Sequence, residues 1–250
     1  IMDTKIISTT TTDDQERVAR LFAKYDLLSL PVVDQENRLV GIVTVDDVVE
    51  VITQEATEDF QLMAATSPSE RPYLKTDVWT LARNRAVWLA VLMLSATITG
   101  IVLQRYENAF LAVPLLVSFI PMLTDTGGNA GSQSATLIIR GMAVDEIRPS
   151  DFLKVLWKEF RISLVVGGLL AALNFARVMI MYPGDPVLAA TVSVSLMAVV
   201  VVAKTIGGIL PILAKAVNAD PAIMASPVIT TIVDAAGLLI YFKIVEVILL

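Results

Sequence analysis

Five long apolar runs occupy the last two thirds of the 250-residue chain, near residues 86–105, 109–140, 160–182, 187–215 and 223–250. A helix rises about 1.5 Å per residue, so each run is long enough to cross the roughly 30 Å hydrocarbon layer of a bilayer. The hydrophobic content of 55% and the mean hydropathy of +0.70 agree with a chain that lies mostly in lipid. The sequence therefore predicts a membrane protein with five spanning helices.

Basic residues are distributed unevenly around these runs. Arg83 and Arg85 precede the first run, and five bases lie at residues 140–161, whereas the loops at residues 106–108 and 183–186 contain none. Basic loops favour the cytoplasmic side of a membrane. We therefore expect a multi-pass protein of the cell inner (plasma) membrane, with its N-terminal region in the cytosol and its C-terminus outside.

The chain contains neither cysteine nor histidine. This excludes disulfides, thiolate metal sites, Cys/His nucleophile pairs and imidazole catalysis, so an enzyme is not predicted and any bound metal must be held by oxygen. Residues 1–70 carry 14 acids and 5 bases, whereas residues 71–250 carry 11 acids and 14 bases. An acidic surface repels phosphates and attracts cations, so nucleic acid is not an expected partner.

The region before the apolar runs combines short apolar stretches with helical patterns. Residues 13–25 have the spacing of an amphipathic helix, the runs LPVVD and LVGIVT are typical of strands, and a second helix is predicted from Asp46. With Ile6–Ser8 as a first strand, the order is strand, helix, strand, strand, helix. The chain starts at Ile1 with a polar region and no signal peptide, so we expect it to be the C-terminal part of a longer protein.

The predicted second helix carries six acids, and no lysine or arginine lies between residues 39 and 70. The acids are Asp46, Asp47, Glu50, Glu55, Glu58 and Asp59. Like charges one helical turn apart destabilise a helix by roughly 0.2–0.5 kcal/mol per pair. A solvated acidic face is one interpretation. A cation sensor is the other, because the helix, predicted to end at Ser67, leads through an amphipathic stretch at residues 73–85 into the first membrane run.

Asp234 is the one charged residue in the run at residues 221–242. An acid near the middle of a bilayer costs roughly 2.5 to 3.5 kcal/mol, so it needs a partner or a water-filled path. Thr230 lies one turn before it on the same helix face. Lys204 is a candidate ion-pair partner, and Arg177 is a weaker one because it can snorkel from the end of its run.

The second run contains the polar stretch PMLTDTGGNAGSQSATLIIRG, residues 121–141. Pro121 is expected to interrupt the helix and the adjacent glycines to loosen it, while Asn129 and its neighbours offer oxygens. Broken backbone at membrane depth is tolerated only where it lines a cavity or is buried in protein, so the stretch indicates a polar path. Close helix packing is the alternative for the small residues that recur every four positions, Gly127, Gly131 and Ala135.

The run GIVTVDDVVEVI, residues 41–52, resembles the closing half of a CBS module, a cytosolic regulatory unit that works in pairs. In many CBS modules the threonine and aspartate of this motif hold an adenosine ribose or phosphate, which makes Thr44 and Asp47 candidates for binding ATP. Capping of the following helix by Thr44 or Asp46 is the alternative. A single module is visible, so its partner was removed or comes from another chain.

Three motifs, in order, resemble the MgtE family of magnesium transporters and channels: the acidic helix QEATED, the stretch at residues 121–141, and ADPAIMASPVITTIVDAAGLLIYF at residues 219–242. The resemblance covers essentially the whole chain. It implies a homodimer with five membrane helices per protomer and an ion pore between the two membrane domains. It also implies a cytosolic part that binds Mg²⁺ and closes the pore when internal Mg²⁺ is sufficient.

The resemblance also assigns roles to residues. The pore acid falls on Asp234 and the motif asparagine on Asn129, beside Gly128 in the GGN triplet, with Thr230 and Ser226 as further pore residues. Ser226 replaces the asparagine that family members often carry before the proline, and its shorter side chain is expected to alter how a hydrated ion is held. The regulatory Mg²⁺ ligands fall on Glu55, Glu58 and Asp59 of the plug helix, on Asp220 at the cytosolic mouth, and on Glu16, Asp26, Asp47 and Glu50 of the CBS side.

The sequence thus predicts a mainly α-helical membrane protein with a small α/β cytosolic CBS module. The expected domains are the CBS module at residues 1–53, an acidic plug and connecting helix at 54–85, and a five-helix pore domain at 86–250. The predicted function is Mg²⁺ conduction by a homodimer, with Mn²⁺ or Ca²⁺ as further cations. Two alternatives stay open: a secondary transporter driven by a proton or Na⁺ gradient, and a transporter regulated by nucleotide at the CBS module.

Overall fold

The computed structural model describes residues 6–69 and 71–249, apart from the side chains of residues 110 and 226. The chain divides into two compact units. The first unit ends at Gln61 and also takes Pro68–Tyr73, whereas the second comprises Leu62–Ser67 and the chain from Leu74 onward. Each unit has its own hydrophobic core.

The first unit is built from β1 (Thr9–Thr10), α1 (Gln15–Tyr25), β2 (Ser29–Val33), β3 (Leu39–Thr44) and α2 (Val45–Met63), whose last residues belong to the second unit. The sheet order is β1-β2-β3, with β1 parallel to β2 and β2 antiparallel to β3. The core between sheet and helices consists of Val18, Ala19, Phe22, Leu30 and Val48. The predicted order of elements is confirmed, although the first strand lies at residues 9–10 rather than 6–8.

Two helix ends differ from the sequence prediction. α2 ends at Met63 rather than Ser67, because Ala65 adopts a left-handed conformation with φ of 51° and its N–H donates to the Leu62 carbonyl at 2.9 Å. The next long helix begins at Val78, within the stretch predicted to be a connector. Asp77 fixes this start, since its side chain accepts the N–H of Thr80 at 2.9 Å.

The second unit is helical. Its α-helices are α3 (Val78–Arg105), α4 (Glu107–Ala112), α5 (Ile120–Ala143), α6 (Phe152–Met181), α7 (Pro186–Ala216) and α8 (Ser226–Ile248). Within the described residues, four segments are long and apolar enough to cross a membrane: Val78–Arg105, Pro149–Met181, Pro186–Ala216 and Pro221–Ile248. α5 is a fifth helix of spanning length, about 36 Å for its 24 residues, but its polar residues lower its hydropathy.

α7 lies at the centre of this unit and packs against α5, α6 and α8. More than half of its most apolar segment, 56%, is buried within the protein, whereas the corresponding fraction for α3 is 6%. α3 packs mainly on α8. In a bilayer, the apolar surface of α3 therefore faces lipid or another chain, whereas α7 is shielded by its neighbours.

The second apolar run is divided into three helical pieces. Val113 leaves the helical conformation at the end of α4, residues Pro114–Phe119 form a 3₁₀-helix, and α5 then starts at Ile120. Pro121 lies in the first turn of α5, where a proline has no backbone hydrogen bond to lose, and α5 continues through both glycines. The expected interruption at Pro121 was therefore wrong in position, because the break comes before it.

The irregular segment before α5 is buried on one side, whereas Pro114, Val117 and Ser118 are exposed. Leu116 is fully buried, Phe119 is nearly so, and the hydroxyl of Tyr241 on α8 donates to the Leu116 carbonyl at 3.0 Å. Tyr106 and Phe242 stack beside it, with ring centroids 4.6 Å apart. On the buried side of this segment, protein groups therefore take the place of water, as Tyr241 does at the Leu116 carbonyl.

The small residues of α5 serve close helix packing. A Cβ atom at Gly127 would lie 2.7 Å from Cγ1 of Val199 on α7, and one at Gly131 would lie 2.7 Å from Cγ2 of Ile229 on α8. Ala135, four residues further, is fully buried. The packing interpretation of these three positions is therefore confirmed, and the same packing holds α5 between α7 and α8.

Candidate functional site

α5 carries a stripe of exposed polar side chains along one face. The residues of this polar stripe are Asp125, Asn129, Gln133, Thr136 and Arg140, and each is exposed. Their spacing of three or four residues places them on one side of the helix, whereas the opposite side is buried against α7 and α8. The single chain therefore leaves a polar helix face uncovered in a unit whose other long helices are apolar.

Asp234 on α8 lies beside the start of this stripe. A Cβ atom at Gly127 would approach the Val233 side chain, and one at Gly128 would approach the Thr230 side chain. Residue numbers therefore rise along α5 as they fall along α8, so the two helices run antiparallel. One turn further, the Asp125 carboxylate is close enough to Asp234 to act on it electrostatically. Asp234 itself is half-buried. The structure thus places Gly128 beside Thr230, one turn before Asp234 on α8, and the role of these residues in a pore stays a prediction.

Asp125 is the functional candidate that sequence reasoning left out of the predicted site. It lies four residues before Asn129 in the same polar stretch, so its spacing already placed it on the same helix face. Two acids whose charges interact at membrane depth repel each other, and a cation or water near them lowers that cost. Their proximity is a tertiary feature of α5 and α8 that spacing alone does not give.

Hydroxyl groups border the acid on α8. The Thr230 hydroxyl donates to the Pro227 carbonyl at 3.0 Å, and the Thr231 hydroxyl donates to the same carbonyl at 2.9 Å. Each hydroxyl oxygen keeps lone pairs that accept hydrogen bonds from a hydrated ion. Ser226 begins α8, and its predicted role falls on a side chain that lies outside the described part of the structure.

The two basic residues that were candidates for an ion pair with Asp234 form hydrogen bonds with other residues. Lys204 donates to the Ser134 hydroxyl at 3.3 Å, and Arg177 donates to the Asn174 side-chain oxygen at 2.8 Å. Among the ion pairs of the described residues, none includes Asp234. The ion-pair alternative for Asp234 is therefore not supported within the described residues, and the water-filled path stays a prediction.

The predicted regulatory ligands on α1 and its end have local partners. Glu16 forms an ion pair with Arg20 at 3.1 Å, one helical turn away. Asp26 is exposed and ends α1 in a left-handed conformation with φ of 51°. Asp220, in the second unit, accepts the N–H of Ala222 at 2.8 Å and so caps the short 3₁₀-helix that it precedes. The carboxylates of Glu16 and Asp220 therefore have structural roles that do not require a metal, whereas Asp26 contributes its backbone to the end of α1.

The predicted ligands on α2 are spread along its surface. Glu50 accepts from Gln54 at 3.3 Å and Glu55 accepts from Gln15 at 2.7 Å, whereas Glu58 is exposed and Asp59 is partly buried. Within the described residues, no three acidic side chains lie close enough together to hold a metal ion. The regulatory Mg²⁺ sites therefore stay predictions.

Thr44 and Asp47 bond to each other at the start of α2. The Asp47 carboxylate accepts the Thr44 hydroxyl at 2.7 Å and the Thr44 N–H at 3.0 Å, as in the second half of a capping box. These two hydrogen bonds, the hydroxyl first, hold the pKa of Asp47 below its ordinary value. Asp47 therefore takes part in capping α2, a role that the sequence interpretation had given to Thr44 or Asp46, and the binding of ATP there stays a prediction.

This cap predicts a pH-dependent stability of α2. Because the native pKa of Asp47 is depressed, its contribution is present above the unfolded-state pKa and is lost as the pH falls through the native pKa. Melting followed by circular dichroism should therefore show that Asp47→Ala destabilises the protein at neutral pH and that the difference from wild type shrinks in acid. Asp46→Ala is the control, since it removes an acid from the same turn. A difference that is constant with pH would contradict this account.

Comparisons with known proteins show which family this chain belongs to. A family model described as a divalent cation transporter, MgtE, matches residues 120–244, the segment that holds α5 to α8. The magnesium transporter MgtE of Thermus thermophilus is 41% identical over 249 residues, which is 100% of this chain and 55% of that protein. The chain belongs to the MgtE family. The resemblance noted in the sequence is thereby confirmed.

Two further relatives share the family name. The magnesium transporters MgtE of Bacillus subtilis and Enterococcus faecalis are 37% and 32% identical over 244 residues, each match covering 98% of this chain and 53% of the relative. A CBS domain model matches residues 1–54. The chain thus spans about half the length of the curated relatives it matches. MgtE proteins are membrane transporters rather than enzymes, in agreement with the sequence prediction.

Proposed function

We propose that this MgtE-family chain conducts Mg²⁺ across a membrane as a homodimer, with the ion moving along the polar stripe and past Asp234. The observation that carries the proposal is an exposed polar helix face beside a half-buried membrane acid. Lipid cannot solvate these groups, so water or a second protein surface must cover them. A second copy would place two stripes and two Asp234 carboxylates around one aqueous path. The relatives, which are named magnesium transporters, favour Mg²⁺ as the ion.

The donor set suits a hydrated divalent cation. Mg²⁺ prefers octahedral oxygen at roughly 2.0 to 2.1 Å, releases water slowly, and is usually held by one or two carboxylates while it keeps several waters. Asp234 and Asp125 supply charge, and Asn129 and Thr230 supply oxygens for the hydration shell. The same oxygens accept Mn²⁺ or Ca²⁺, so we propose these as weaker competing ions.

The proposed orientation follows from the basic loops. Arg83, Arg85 and the residues 140–161 would face the cytosol, together with the CBS region. The C-terminus after α8 would then lie outside the cell inner membrane. The first unit would meet cytosolic Mg²⁺, whereas the loop at residues 183–186 would face the exterior.

The test is Mg²⁺ uptake into proteoliposomes that contain the protein, with no proton or Na⁺ gradient. A pore predicts uptake that follows the Mg²⁺ gradient and continues when protonophore or Na⁺ ionophore is added. A coupled transporter would take up Mg²⁺ only when such a gradient is imposed. Protein-free vesicles give the background, and uptake at that level under both conditions would reject the proposed function.

We further propose that the acids of α2 sense Mg²⁺ and close the path. Without cation the acids of two subunits repel, and bound Mg²⁺ would draw them together and favour the closed state. ATP at the CBS region is a second proposed regulatory ligand. Both ligands would bind the first unit and act on conduction in the second unit.

This regulation predicts a gain of activity. The triple variant Glu55→Gln, Glu58→Gln, Asp59→Asn should keep Mg²⁺ uptake open when the face that carries the CBS region is bathed in millimolar Mg²⁺, whereas uptake by the wild type should fall. Uptake at zero Mg²⁺ on that face should be similar in both, because the pore is unchanged. Glu36→Gln is the control, since it removes an acid of the same unit outside α2. Equal inhibition of triple variant and wild type would reject this sensor.

A further inference from the structure

Three polar side chains meet in the buried centre of the second unit, away from the polar stripe. Lys204 of α7 donates to the Ser134 hydroxyl of α5 at 3.3 Å, and Ser134 donates to the Glu159 carboxylate of α6 at 2.6 Å. Their exposed fractions are 5%, 1% and 7%, respectively. The proposed ion path uses none of them, so their cost in an apolar unit needs another explanation.

The backbone around these residues is shaped to admit them. A Cβ atom at Gly208 of α7 would lie 3.0 Å from Cγ of Glu159, so the absence of a side chain there makes room for the glutamate stem. One position earlier, Gly207 faces the Gly131 carbonyl of α5 at the closest approach of the two helices. The polar contacts therefore lie within about one helical turn of the point where α5 and α7 touch backbone to backbone.

Charge balance explains why the three residues occur together. A lysine or a glutamate alone in this environment would be an uncompensated buried charge, which costs several kcal/mol. The serine hydroxyl accepts a hydrogen bond from the ammonium group and donates one to the carboxylate, so it links the two charged groups. Because these two charges are opposite, the three side chains together carry no net charge. No fully buried side-chain nitrogen or oxygen of the described residues lacks a partner.

We propose that Lys204, Ser134 and Glu159 form a buried clamp that fixes the position of α5 relative to α6 and α7, and thereby the position of Asn129. The three are positioning residues, because none of them belongs to the polar stripe. Ser134 lies five residues after Asn129 on the same helix, so a shift or rotation of α5 at the clamp moves the stripe with it. Its consequence for ion recognition rests on the proposed function, whereas the position of Asn129 does not.

The position of Asn129 is tested by thiol labelling, which requires no ion transport. The chain has no native cysteine, so Asn129→Cys introduces a single thiol. The clamp predicts that Ser134→Ala, added to Asn129→Cys, changes the rate of its reaction with a water-soluble thiol reagent by about tenfold, because the bridging hydrogen bonds are lost. Ser163→Ala is the matched control, since Ser163 is a fully buried serine of α6 whose hydroxyl bonds the Phe160 carbonyl of its own helix. Equal labelling rates in all three backgrounds would overturn the clamp.

Paired charge substitutions separate positioning from charge compensation alone. Glu159→Gln should reduce the amount of folded protein, because it leaves Lys204 without its counter-charge, and the double variant Glu159→Gln, Lys204→Met should restore that amount. The clamp predicts that the restored double variant still labels Asn129→Cys at an altered rate. A double variant with the wild-type labelling rate would overturn positioning and leave only charge compensation.

The ion-related consequence has its own readout. In proteoliposomes, Ser134→Ala should raise the half-saturating Mg²⁺ concentration by about tenfold with a smaller change in maximal rate, while Ser163→Ala should match the wild type. An altered labelling rate with an unchanged half-saturating concentration would separate the clamp from ion recognition and reject that link. A wild type without Mg²⁺ uptake would reject the proposed function, and the labelling result would still decide the clamp.

Discussion

Replacing Asp234 with asparagine is expected to reduce Mg²⁺ uptake by about a hundredfold or more. Asn keeps the size of the side chain and removes its charge, and a unit charge pair 4 Å apart is worth about 4 kcal/mol at an effective dielectric constant of 20. Without the charge of Asp234, a divalent ion at this position therefore loses a large part of its electrostatic stabilisation. The measurement is the initial rate of Mg²⁺ uptake, by a Mg²⁺-sensitive dye inside proteoliposomes, divided by the amount of reconstituted protein.

The matched control for this substitution lies on the same helix. Glu246 of α8 is exposed and forms an ion pair with Lys243 at 2.6 Å, so Glu246→Gln removes an acid from α8 away from the proposed path. Its uptake should stay within about twofold of wild type, as for most surface substitutions. Undiminished uptake in Asp234→Asn, or an equal loss in Glu246→Gln, would show that the charge of Asp234 has no specific role.

Gly207→Ala is expected to cause a large loss of stability in the second unit. A Cβ atom at Gly207 would overlap the Gly131 carbonyl of α5, and this neighbour is backbone rather than a side chain that can rotate away. The two helices must separate, and overpacking of this kind costs about 3 kcal/mol. The expected result is a lower melting temperature in detergent and less folded protein after purification.

Gly168→Ala gives the comparison, because a Cβ atom at that position of α6 meets no atom within 4 Å. Alanine is also the better helix former, so Gly168→Ala should leave the melting temperature unchanged or raise it. If Gly207→Ala melts at the same temperature as Gly168→Ala, then the close approach of α5 and α7 does not support the unit as described.

Local patterns predicted the first unit well because its elements are short and amphipathic. The short apolar run LVGIVT and the helical spacing of residues 13–25 identify β3 and α1 from neighbours in sequence alone. Hydropathy also identified the long membrane helices. The break in the second run was predicted at the wrong position, because Pro121 was taken as the interruption although it lies in the first turn of α5.

The members of the candidate site differed in how far sequence could predict them. Asp234 was evident because it is an isolated acid in an apolar run. Glu159 falls in the segment 140–161, which was interpreted as a basic loop, although it lies inside α6 and is buried. Its partner Ser134 is 25 residues away, and Lys204 bonds Ser134 across 70 residues, so no local pattern links them. Such pairs depend on helix packing, which hydropathy does not describe.

The pattern of acids along α2 does not by itself identify a metal site, for a physical reason. The acids of α2 are distributed along an extended helix surface, and oxygen ligands for a metal must converge within about 2.0 to 2.6 Å of one point. Within the described residues they do not converge. A second subunit, or a region outside this chain, would have to supply the remaining ligands if these acids bind Mg²⁺.

The central claim is that the polar stripe of α5 lines a water-filled ion path, and thiol labelling in membranes tests it most directly. Asn129→Cys and Gln133→Cys should each react with a water-soluble thiol reagent at least about tenfold faster than Val165→Cys, since only a hydrated thiol ionises. Val165 lies on an exposed apolar face midway along α6, with 74% of its surface exposed in the chain. Added Mg²⁺ should slow the reaction at the stripe and leave Val165→Cys unchanged. Equal reactivity at all three positions, or no effect of Mg²⁺ on the stripe, would contradict the account.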